Sequence, residues 1–244
     1  MHIIDLDESM AIIDSGAFKA NTPCVHEPAI ILISVLKPNF YSENRVKSML
    51  SCVLSACDFD VPIFILVCDT LHVHNIKAYE HYSESRARII ALERGEAVVK
   101  QFESGVAKLE EIDRKRISIR TWDEALVLAS DLNKFMVEYA KQSPELLNII
   151  ESAAEKYCTN RRRNSSEESR ILYFQAGLNY ICEQLFMCAG EVRLMLENKQ
   201  ILKFNKYFYF PFTGKSEANL LFSIREYFPF LNPENIESFL MSIS

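Results

Sequence analysis

The residue best suited to take part in a reaction is Ser34, whose hydroxyl lies at the end of the apolar run Ala29–Ser34. Five consecutive small or branched apolar residues are typical of a parallel strand that is buried on both faces. Ligands of open α/β sheets bind outside the carboxyl ends of the strands, so Ser34 would meet a substrate there. Ile30 and Leu32 share its strand face and would lie below it. The alternative is a serine that only satisfies a backbone group at the strand end.

Two neighbouring elements would position this serine. The segment 42–57 has helical character, and 62–69 is a second apolar run that predicts another buried strand. Strand, helix and strand over about forty residues form a βαβ unit, which makes the sheet parallel and its crossover right-handed. Lys37-Pro38-Asn39 ends the first strand, because proline and asparagine favour turns.

The rest of the chain shows both helical and extended patterns. The segment 121–124 is typical of a capping box that opens a helix. The polar tract 159–167 predicts an exposed, mobile loop. Helices are predicted over 83–113 (with weak points at Gly95 and Gly105), 121–136, 144–157 and 168–187 and in a short tail, and strands over 117–120 and 203–212. We expect an α/β fold in which residues 1–244 form one domain, because no Pro-, Gly- or Ser-rich linker divides them.

Composition limits the class of protein. Hydrophobic residues make up 49% and charged residues 25% of the 244 residues, as in ordinary soluble proteins. There is no apolar run near the roughly 18 residues of a membrane span, and the acidic amino terminus is unlike a signal peptide. Seven scattered cysteines are typical of reduced core residues, so we expect a cytoplasmic protein, monomeric by default. The net charge of −6 argues against broad electrostatic binding to nucleic acid, although a local basic patch is compatible with it.

Familiar catalytic and cofactor motifs are absent from the sequence. No glycine-rich phosphate loop follows the first strand, so we expect no nucleotide cofactor. His72, His74 and His81 form the one histidine cluster, without a C-x-x-C pair, and we expect surface or helix-end histidines and no metal. Ser34 lacks the G-x-S-x-G pattern and has no histidine close in sequence. If Ser34 is a nucleophile, its acyl donor must already be activated.

Three segments together resemble the cyclodipeptide synthases. They are Ala29-Ile-Ile-Leu-Ile-Ser34, the stretch from Cys68-Asp-Thr-Leu-His-Val-His-Asn75 to Leu92-Glu-Arg-Gly95, and Gln175-Ala-Gly-Leu-Asn-Tyr-Ile-Cys-Glu183. The family uses aminoacyl-tRNAs as substrates and is related to the catalytic domain of class I aminoacyl-tRNA synthetases. The resemblance therefore implies a Rossmann-like parallel sheet flanked by helices and aminoacyl-tRNAs as partners, with no metal, cofactor or membrane.

The resemblance also implies roles for single residues. Ser34 would accept the aminoacyl group, and Tyr180 would contact that group. The family's glutamate normally lies four residues after the tyrosine, with a proline two further on, where this chain has Gln184 and Phe186. Glu183 lies one residue earlier and could reach the same pocket, because positions i+3 and i+4 share a helix face. The alternative for Glu183 is a solvated helix residue.

Further positions match the family's aminoacyl pockets. Leu32 replaces a usual glycine and would narrow the first pocket, which favours a small first residue. The second aminoacyl group would bind beside the second strand, where Leu66 and Cys68 share a face. The candidate substrate-binding residues are Ile30, Leu32, Asn39, Leu66, Cys68, Gln184 and, in the late strand, Tyr209 and Phe210, which compete for one tyrosine position.

Binding of tRNA requires lysine and arginine for the phosphates. The basic helix of the resemblance carries Arg86, Arg88 and Arg94, and further basic runs lie at 114–116 and 161–163. The alternative is that these charges form solvated helix faces, since glutamates are interspersed among them.

The sequence thus predicts an aminoacyltransferase in which Ser34 attacks an aminoacyl-tRNA ester and forms a covalent aminoacyl-enzyme. Glu183, assisted by Tyr180, would hold the substrate ammonium. A second aminoacyl-tRNA would then supply the amine, and cyclisation would release a diketopiperazine. Two alternatives stay open. One is a catalytically degenerate relative that binds aminoacyl-tRNA; the other is an unrelated α/β enzyme with an ordinary nucleophilic serine, which a histidine base near Ser34 would favour.

Overall fold

The computed structural model describes residues 2–6, 9–14, 25–162, 166–190, 192–204, 206–209 and 237–243. The strands are β1 (His2–Leu6), β2 (Ser9–Asp14), β3 (Ala29–Ser34), β4 (Ile63–Cys68), β5 (Ile117–Thr121), β6 (Val192–Met195), β7 (Ile201–Phe204), β8 (Lys206–Tyr209) and β9 (Glu237–Ile243). The helices are α1 (Glu43–Ala56), α2 (Val73–Glu80), α3 (Glu84–Val106), α4 (Glu111–Arg116), α5 (Trp122–Lys141), α6 (Pro144–Arg162) and α7 (Glu167–Ala189). Two short 3₁₀ turns follow the central strands, at Pro38–Phe40 and Thr70–His72.

One mixed sheet organises the described residues, with strand order β1-β2-β9-β8-β3-β4-β5. The five strands from β9 to β5 run parallel, whereas β1 and β2 form an antiparallel edge. The predicted βαβ unit is confirmed as β3-α1-β4, and its register places Ser34 opposite Cys68. The carboxyl ends of the two central strands therefore meet at one edge of the sheet.

The apolar runs of β3 and β4 face two separate hydrophobic cores, which explains their lack of alternation. Ile30 and Leu32 pack in the core beneath α5, α6 and α7, together with Leu66 of β4. Ile31 and Ile33 pack on the opposite face, in the core formed with α1 and α3. Helices thus cover both faces of the sheet, as the predicted α/β class requires.

Two glycines allow α3 to lie close to its neighbours. A Cβ atom at Gly105 would overlap Cγ1 of Val46 in α1, and one at Gly95 would lie 2.7 Å from Cβ of Asp69. Gly95 lies inside one continuous helix, so the prediction of a weak point there is wrong, whereas α3 ends one residue after Gly105, the other predicted weak point. The predicted helix over 83–113 is wrong at its end, because α3 stops at Val106 and extended backbone at Glu110 precedes the short helix α4.

The carboxyl-terminal half differs further from the sequence predictions. The polar tract predicts a loop from Thr159, but α6 continues to Arg162 and α7 begins at Glu167 with Ser166 as its N-cap. The prediction of a helical tail is wrong for 237–243, which forms a strand between β2 and β8. The late strand is divided between β7 and β8, and residues 210–212 lie outside the described residues. The strands β1 and β2 were not predicted; β1 pairs with β2, and β2 pairs with β9, which is distant in sequence.

Local predictions elsewhere are confirmed. Thr121 and Glu124 form the expected capping box at the start of α5. All six cysteines within the described ranges are free thiols, and five of these are buried. Among the described residues, every helix is too short or too polar to cross a membrane.

Candidate active site

Ser34 is held in place by its own strand end and by the turn that follows it. Leu36 donates its backbone N–H to Ser34 Oγ over 3.3 Å, and Tyr41 donates its hydroxyl to the Ser34 carbonyl over 2.8 Å. Tyr41 is buried beside Phe102 of α3, and this burial raises the pKa of its phenol. These two hydrogen bonds therefore hold the carbonyl and the hydroxyl of Ser34 at the strand end.

The Ser34 hydroxyl meets an imidazole. His72 Nε2 lies 2.8 Å from Ser34 Oγ, which is a normal hydrogen-bond distance. His72 is the last residue of the 3₁₀ turn after β4, and it is only 1% exposed. His72 is a helix-end residue, as one of the two expected placements has it, because it ends the 3₁₀ turn and precedes α2, but it is buried and does not lie at the surface. His81, by contrast, is an exposed residue at the end of α2.

Asp69 shapes the turn that carries His72. Its Oδ1 accepts backbone N–H groups from Thr70 at 2.8 Å and from Trp122 at 3.2 Å, so it joins the end of β4 to the start of α5. The residue is 2% exposed, and desolvation raises the pKa of its carboxyl group although the two N–H donors act in the opposite direction. Gly95 of α3 packs directly against it.

The imidazole of His72 has two further neighbours. Its Nδ1 lies 3.0 Å from the side-chain amide of Asn75, which is completely buried. Its ring stacks on Tyr180 of α7, with centroids 5.1 Å apart and planes inclined by 26°. The fold therefore brings the predicted residues Ser34 and Tyr180 together around one histidine.

Glu183 lies one turn after Tyr180 and is not an ordinary solvated helix residue. Its side chain is 20% exposed. Trp122 donates its indole N–H to Oε1 over 2.6 Å, and His74 Nε2 donates to Oε2 over 2.9 Å. Gln184 is buried, at 5% exposure. The partly accessible carboxylate is thus that of Glu183, held by donors from α2 and α5.

The predicted substrate residues occupy different environments. Ile30, Leu32, Leu66 and Cys68 share the core that also contains Tyr180. Asn39 lies at the surface, on the turn after β3. The backbone of Tyr209 pairs with that of Leu32, whereas its side chain and all of Phe210 lie outside what the structure describes.

The predicted tRNA-contacting arginines lie on α3. Arg86 is exposed, while Arg88 makes two hydrogen bonds to Asp123 at 3.0 and 2.9 Å. Arg94 makes two to Glu80 at 2.7 and 2.9 Å. In the run 114–116, the Arg116 Nε donates to a backbone carbonyl and its side chain is 8% exposed. The side chains of 161–163 are not among those described.

Sequence reasoning did not assign four residues to the candidate site around Ser34 and Glu183: His72, His74, Asn75 and Trp122. The signal that could have found His72 is topological. Residues that follow two adjacent parallel strands meet at the same sheet edge. Ser34 ends β3, and His72 lies in the turn that follows β4, so the two residues should lie at the same edge.

Comparisons with known proteins identify solved structures that have a similar fold. No family model matches the sequence, and no curated protein matches it. Among solved structures, a CDPS (cyclodipeptide synthase) from Fluoribacter dumoffii is 15% identical at a TM-score of 0.71, covering 97% of this chain and 99% of the other. A Mycobacterium tuberculosis protein, described as showing that cyclodipeptide synthetases are related to type I tRNA synthetases, is 11% identical at a TM-score of 0.67, covering 99% and 95%.

A cyclodipeptide synthase from Streptomyces noursei is 14% identical at a TM-score of 0.57, covering 80% of this chain and 87% of the other. At these identities the likeness concerns the fold. It confirms the fold that the sequence resemblance implies: the chain has the architecture of solved cyclodipeptide synthases.

Proposed function

We propose that this protein is a tRNA-dependent cyclodipeptide synthase, an aminoacyltransferase that joins two aminoacyl groups into a diketopiperazine. The observation that carries the proposal is Ser34 at the carboxyl edge of β3, hydrogen-bonded to His72 and near Tyr180, in a fold shared with solved cyclodipeptide synthases. A serine in this position is suited to covalent catalysis, in which one difficult transfer is divided into two easier ones.

The first half-reaction is the acylation of Ser34. Its Oγ attacks the ester carbonyl of an aminoacyl-tRNA, the bond from this carbonyl to the ribose oxygen breaks, and the tRNA leaves. An aminoacyl ester is already activated, so this step needs neither ATP nor a phosphate-binding loop. The aminoacyl side chain would lie on the sheet face of Ile30 and Leu32, whose bulk favours a small residue.

Glu183 supplies the charge that would hold the substrate. The ammonium group of the aminoacyl moiety needs a fixed anion, and hydrogen bonds between charged groups are the stronger ones. Trp122 and His74 each occupy one carboxylate oxygen of Glu183, and each of these oxygens has a second acceptor site. The Tyr180 hydroxyl would assist at the same group.

The second half-reaction uses the amine of a second aminoacyl-tRNA. This amine attacks the Ser34 ester, the bond from the carbonyl carbon to Ser34 Oγ breaks, and a dipeptidyl-tRNA forms. The free amine of its first residue then closes on the ester to the tRNA, which releases the ring and the tRNA. The second aminoacyl group would lie beside Leu66 and Cys68 on β4. Arg86, Arg88 and Arg94 on the exposed part of α3 would contact the tRNA phosphates.

Mass spectrometry of culture medium tests the proposal. Cells that express the wild type should release cyclic dipeptides, whereas cells that express Ser34→Ala should not. Ser104→Ala, which changes an exposed serine of α3, is the matched control and should behave as the wild type. Absence of any cyclic dipeptide from cells that contain soluble wild-type protein contradicts the proposal. Binding of aminoacyl-tRNA by that protein would then identify the catalytically degenerate relative.

The Ser34–His72 hydrogen bond favours a second candidate, an acyl-transfer enzyme acting on a small ester. Such an enzyme would show Ser34-dependent hydrolysis of simple esters and no cyclic dipeptide. The shared fold favours the synthase over this candidate.

A further inference from the structure

We propose that His72 is the general base and acid of Ser34, and that Asn75 positions its ring. The assignment deepens the proposed function and rests on it only for the identity of the acyl donor. A serine hydroxyl is a weak nucleophile at its ordinary pKa, and an adjacent base within hydrogen-bond distance is the usual means of activating it. The 2.8 Å between Ser34 Oγ and His72 Nε2 meets this requirement.

The hydrogen bonds at Ser34 favour proton transfer toward the histidine. The Leu36 N–H already donates to Ser34 Oγ, so the hydroxyl proton is directed to another acceptor, and Nε2 lies in reach. The same N–H would stabilise negative charge on Oγ as the proton leaves. For this transfer Nε2 must be unprotonated, which requires the proton of neutral His72 to reside on Nδ1.

Asn75 determines which nitrogen of His72 carries the proton. As placed, the amide nitrogen Nδ2 lies 3.0 Å from His72 Nδ1, and Oδ1 is buried without a hydrogen-bond partner among the described residues. The amide oxygen and nitrogen have the same shape, and their assignment follows from the hydrogen-bond network. Rotation of the amide by half a turn presents Oδ1 to Nδ1–H, so that Nε2 is unprotonated and can accept the Ser34 proton. Ser34, His72 and Asn75 then form a nucleophile, a base and an orienting group.

The surroundings of His72 suit this role. Its ring is buried, stacked on Tyr180 and fixed through Nδ1, so it has one orientation toward Ser34. The backbone N–H of His72 is also bound, to the carbonyl of Asp69, which caps the turn. A preorganised base of this kind typically contributes about 10²–10⁴-fold to a rate.

The proton balance is complete in both half-reactions. Ser34 Oγ bonds to the ester carbon as its proton passes to His72 Nε2. The bond to the ribose oxygen then breaks, and Nε2–H protonates that oxygen. In the second half-reaction the attacking neutral amine gives a proton to Nε2. The bond from the carbonyl carbon to Ser34 Oγ breaks, and the proton returns to Oγ. Ring closure then breaks the ester bond to the second tRNA, and the proton of the closing amine passes to the ribose oxygen.

A fluorophosphonate probe tests this inference without tRNA. Activated Ser34 Oγ would bond to phosphorus and displace fluoride, while its proton passes to His72. Labelling of the purified wild type should be lost in Ser34→Ala and slowed by about 100-fold or more in His72→Gln. His26→Gln, which changes an exposed histidine bound to Asp58, is the control and should label as the wild type. Labelling of folded His72→Gln at a rate close to that of the wild type overturns the proposal.

Asn75 variants keep the inference testable if His72→Gln does not fold. Asn75→Asp retains an oxygen acceptor for Nδ1–H and should label within about tenfold of the wild-type rate, whereas Asn75→Leu should lose most of the labelling. Equal labelling of these two folded variants overturns the role of Asn75. Labelling that depends on His72 in a protein that makes no cyclic dipeptide would leave this inference standing and reject the proposed synthase function.

Discussion

The indole of Trp122 donates a 2.6 Å hydrogen bond to the carboxylate of Glu183, and this contact links the start of α5 to α7. Trp122 is fully buried, and its backbone N–H is bound to Asp69 at the end of β4. One residue therefore connects the turn that carries His72 with the carboxylate that would hold the substrate ammonium. Displacement of Trp122 would disturb both groups together.

Replacement of Trp122 by Phe removes the indole donor but retains an aromatic ring. A lost hydrogen bond to a charged group costs about 1.5–3 kcal/mol, so we expect roughly a tenfold or greater fall in the rate of Ser34 acylation by aminoacyl-tRNA. Fluorophosphonate labelling should change little, because His72 and Asn75 are retained. Single-turnover acylation and labelling measure the two effects, and His74→Gln, which keeps an N–H donor, should be milder. An unchanged acylation rate would contradict this assignment of Glu183.

The choice between Glu183 and Gln184 is testable by exchanging their charges. Glu183→Gln keeps the side-chain shape and should reduce cyclic dipeptide formation about ten- to 100-fold, the effect of losing a charged hydrogen bond. The double variant Glu183→Gln, Gln184→Glu should not recover activity, because position 184 is buried and would hold a desolvated carboxylate. Recovery of activity in the double variant would show that the functional carboxylate belongs at position 184, where the family has its glutamate, and not at position 183. Thermal unfolding of each variant separates loss of function from loss of fold.

The close approach of Gly95 to Asp69 predicts an effect of Gly95→Ala on the site. The added methyl group would lie 2.7 Å from Asp69 Cβ, and overpacking of this kind costs about 1–3 kcal/mol. We expect a lower midpoint of urea unfolding and slower labelling of Ser34, because Asp69 begins the turn that ends at His72. Gly105→Ala is the matched control. The added methyl group would meet Val46 of α1, in the core on the sheet face opposite to that of Tyr180. This variant should therefore be less stable, but the folded protein should be labelled at the wild-type rate.

The raised pKa of Asp69 predicts how its replacement by asparagine changes stability with pH. A carboxyl group with a higher pKa in the folded than in the unfolded protein stabilises the fold below its ordinary pKa of 3.8, and this contribution is lost as pH rises through the folded value. In Asp69→Asn the amide oxygen would keep both N–H bonds, and the side chain would not titrate. The free energy of unfolding of Asp69→Asn minus that of the wild type should therefore increase with pH above 3.8 and then level off. Urea unfolding at a series of pH values measures this difference, and a constant or falling difference would contradict the prediction.

Particular residues show how much of the site the sequence could predict. The buried strand ending in Ser34 and the adjacent parallel strand followed from unbroken apolar runs, because such runs have few alternatives in an α/β protein. The capping box at Thr121 followed from a local hydrogen-bond pattern. These features depend on neighbours in sequence, and all of them are confirmed.

The contacts of His72 and Glu183 could not be predicted from the sequence, because they depend on residues that are distant along the chain. His72 lies 38 residues from Ser34, and Glu183 lies 61 residues from Trp122, so only tertiary packing brings them together. The strand β9 was missed for the same reason, because it forms by pairing with β2 and β8, which are distant in sequence. Tertiary context overrides local preference at such positions.

Arg86 is the predicted tRNA-contacting arginine whose exposure is clearest, since Arg88 and Arg94 are bound to Asp123 and Glu80. Arg86→Ala should weaken binding of aminoacyl-tRNA and reduce the slope of log affinity against log salt by about 1, because one phosphate contact is lost. Arg88→Ala should have a smaller effect, since its guanidinium must first leave Asp123. Lys141→Ala, at the end of α5, is the control for a general loss of positive charge. Filter binding at several salt concentrations measures the affinities, and an Arg86→Ala slope equal to that of the wild type would exclude this arginine from the tRNA interface.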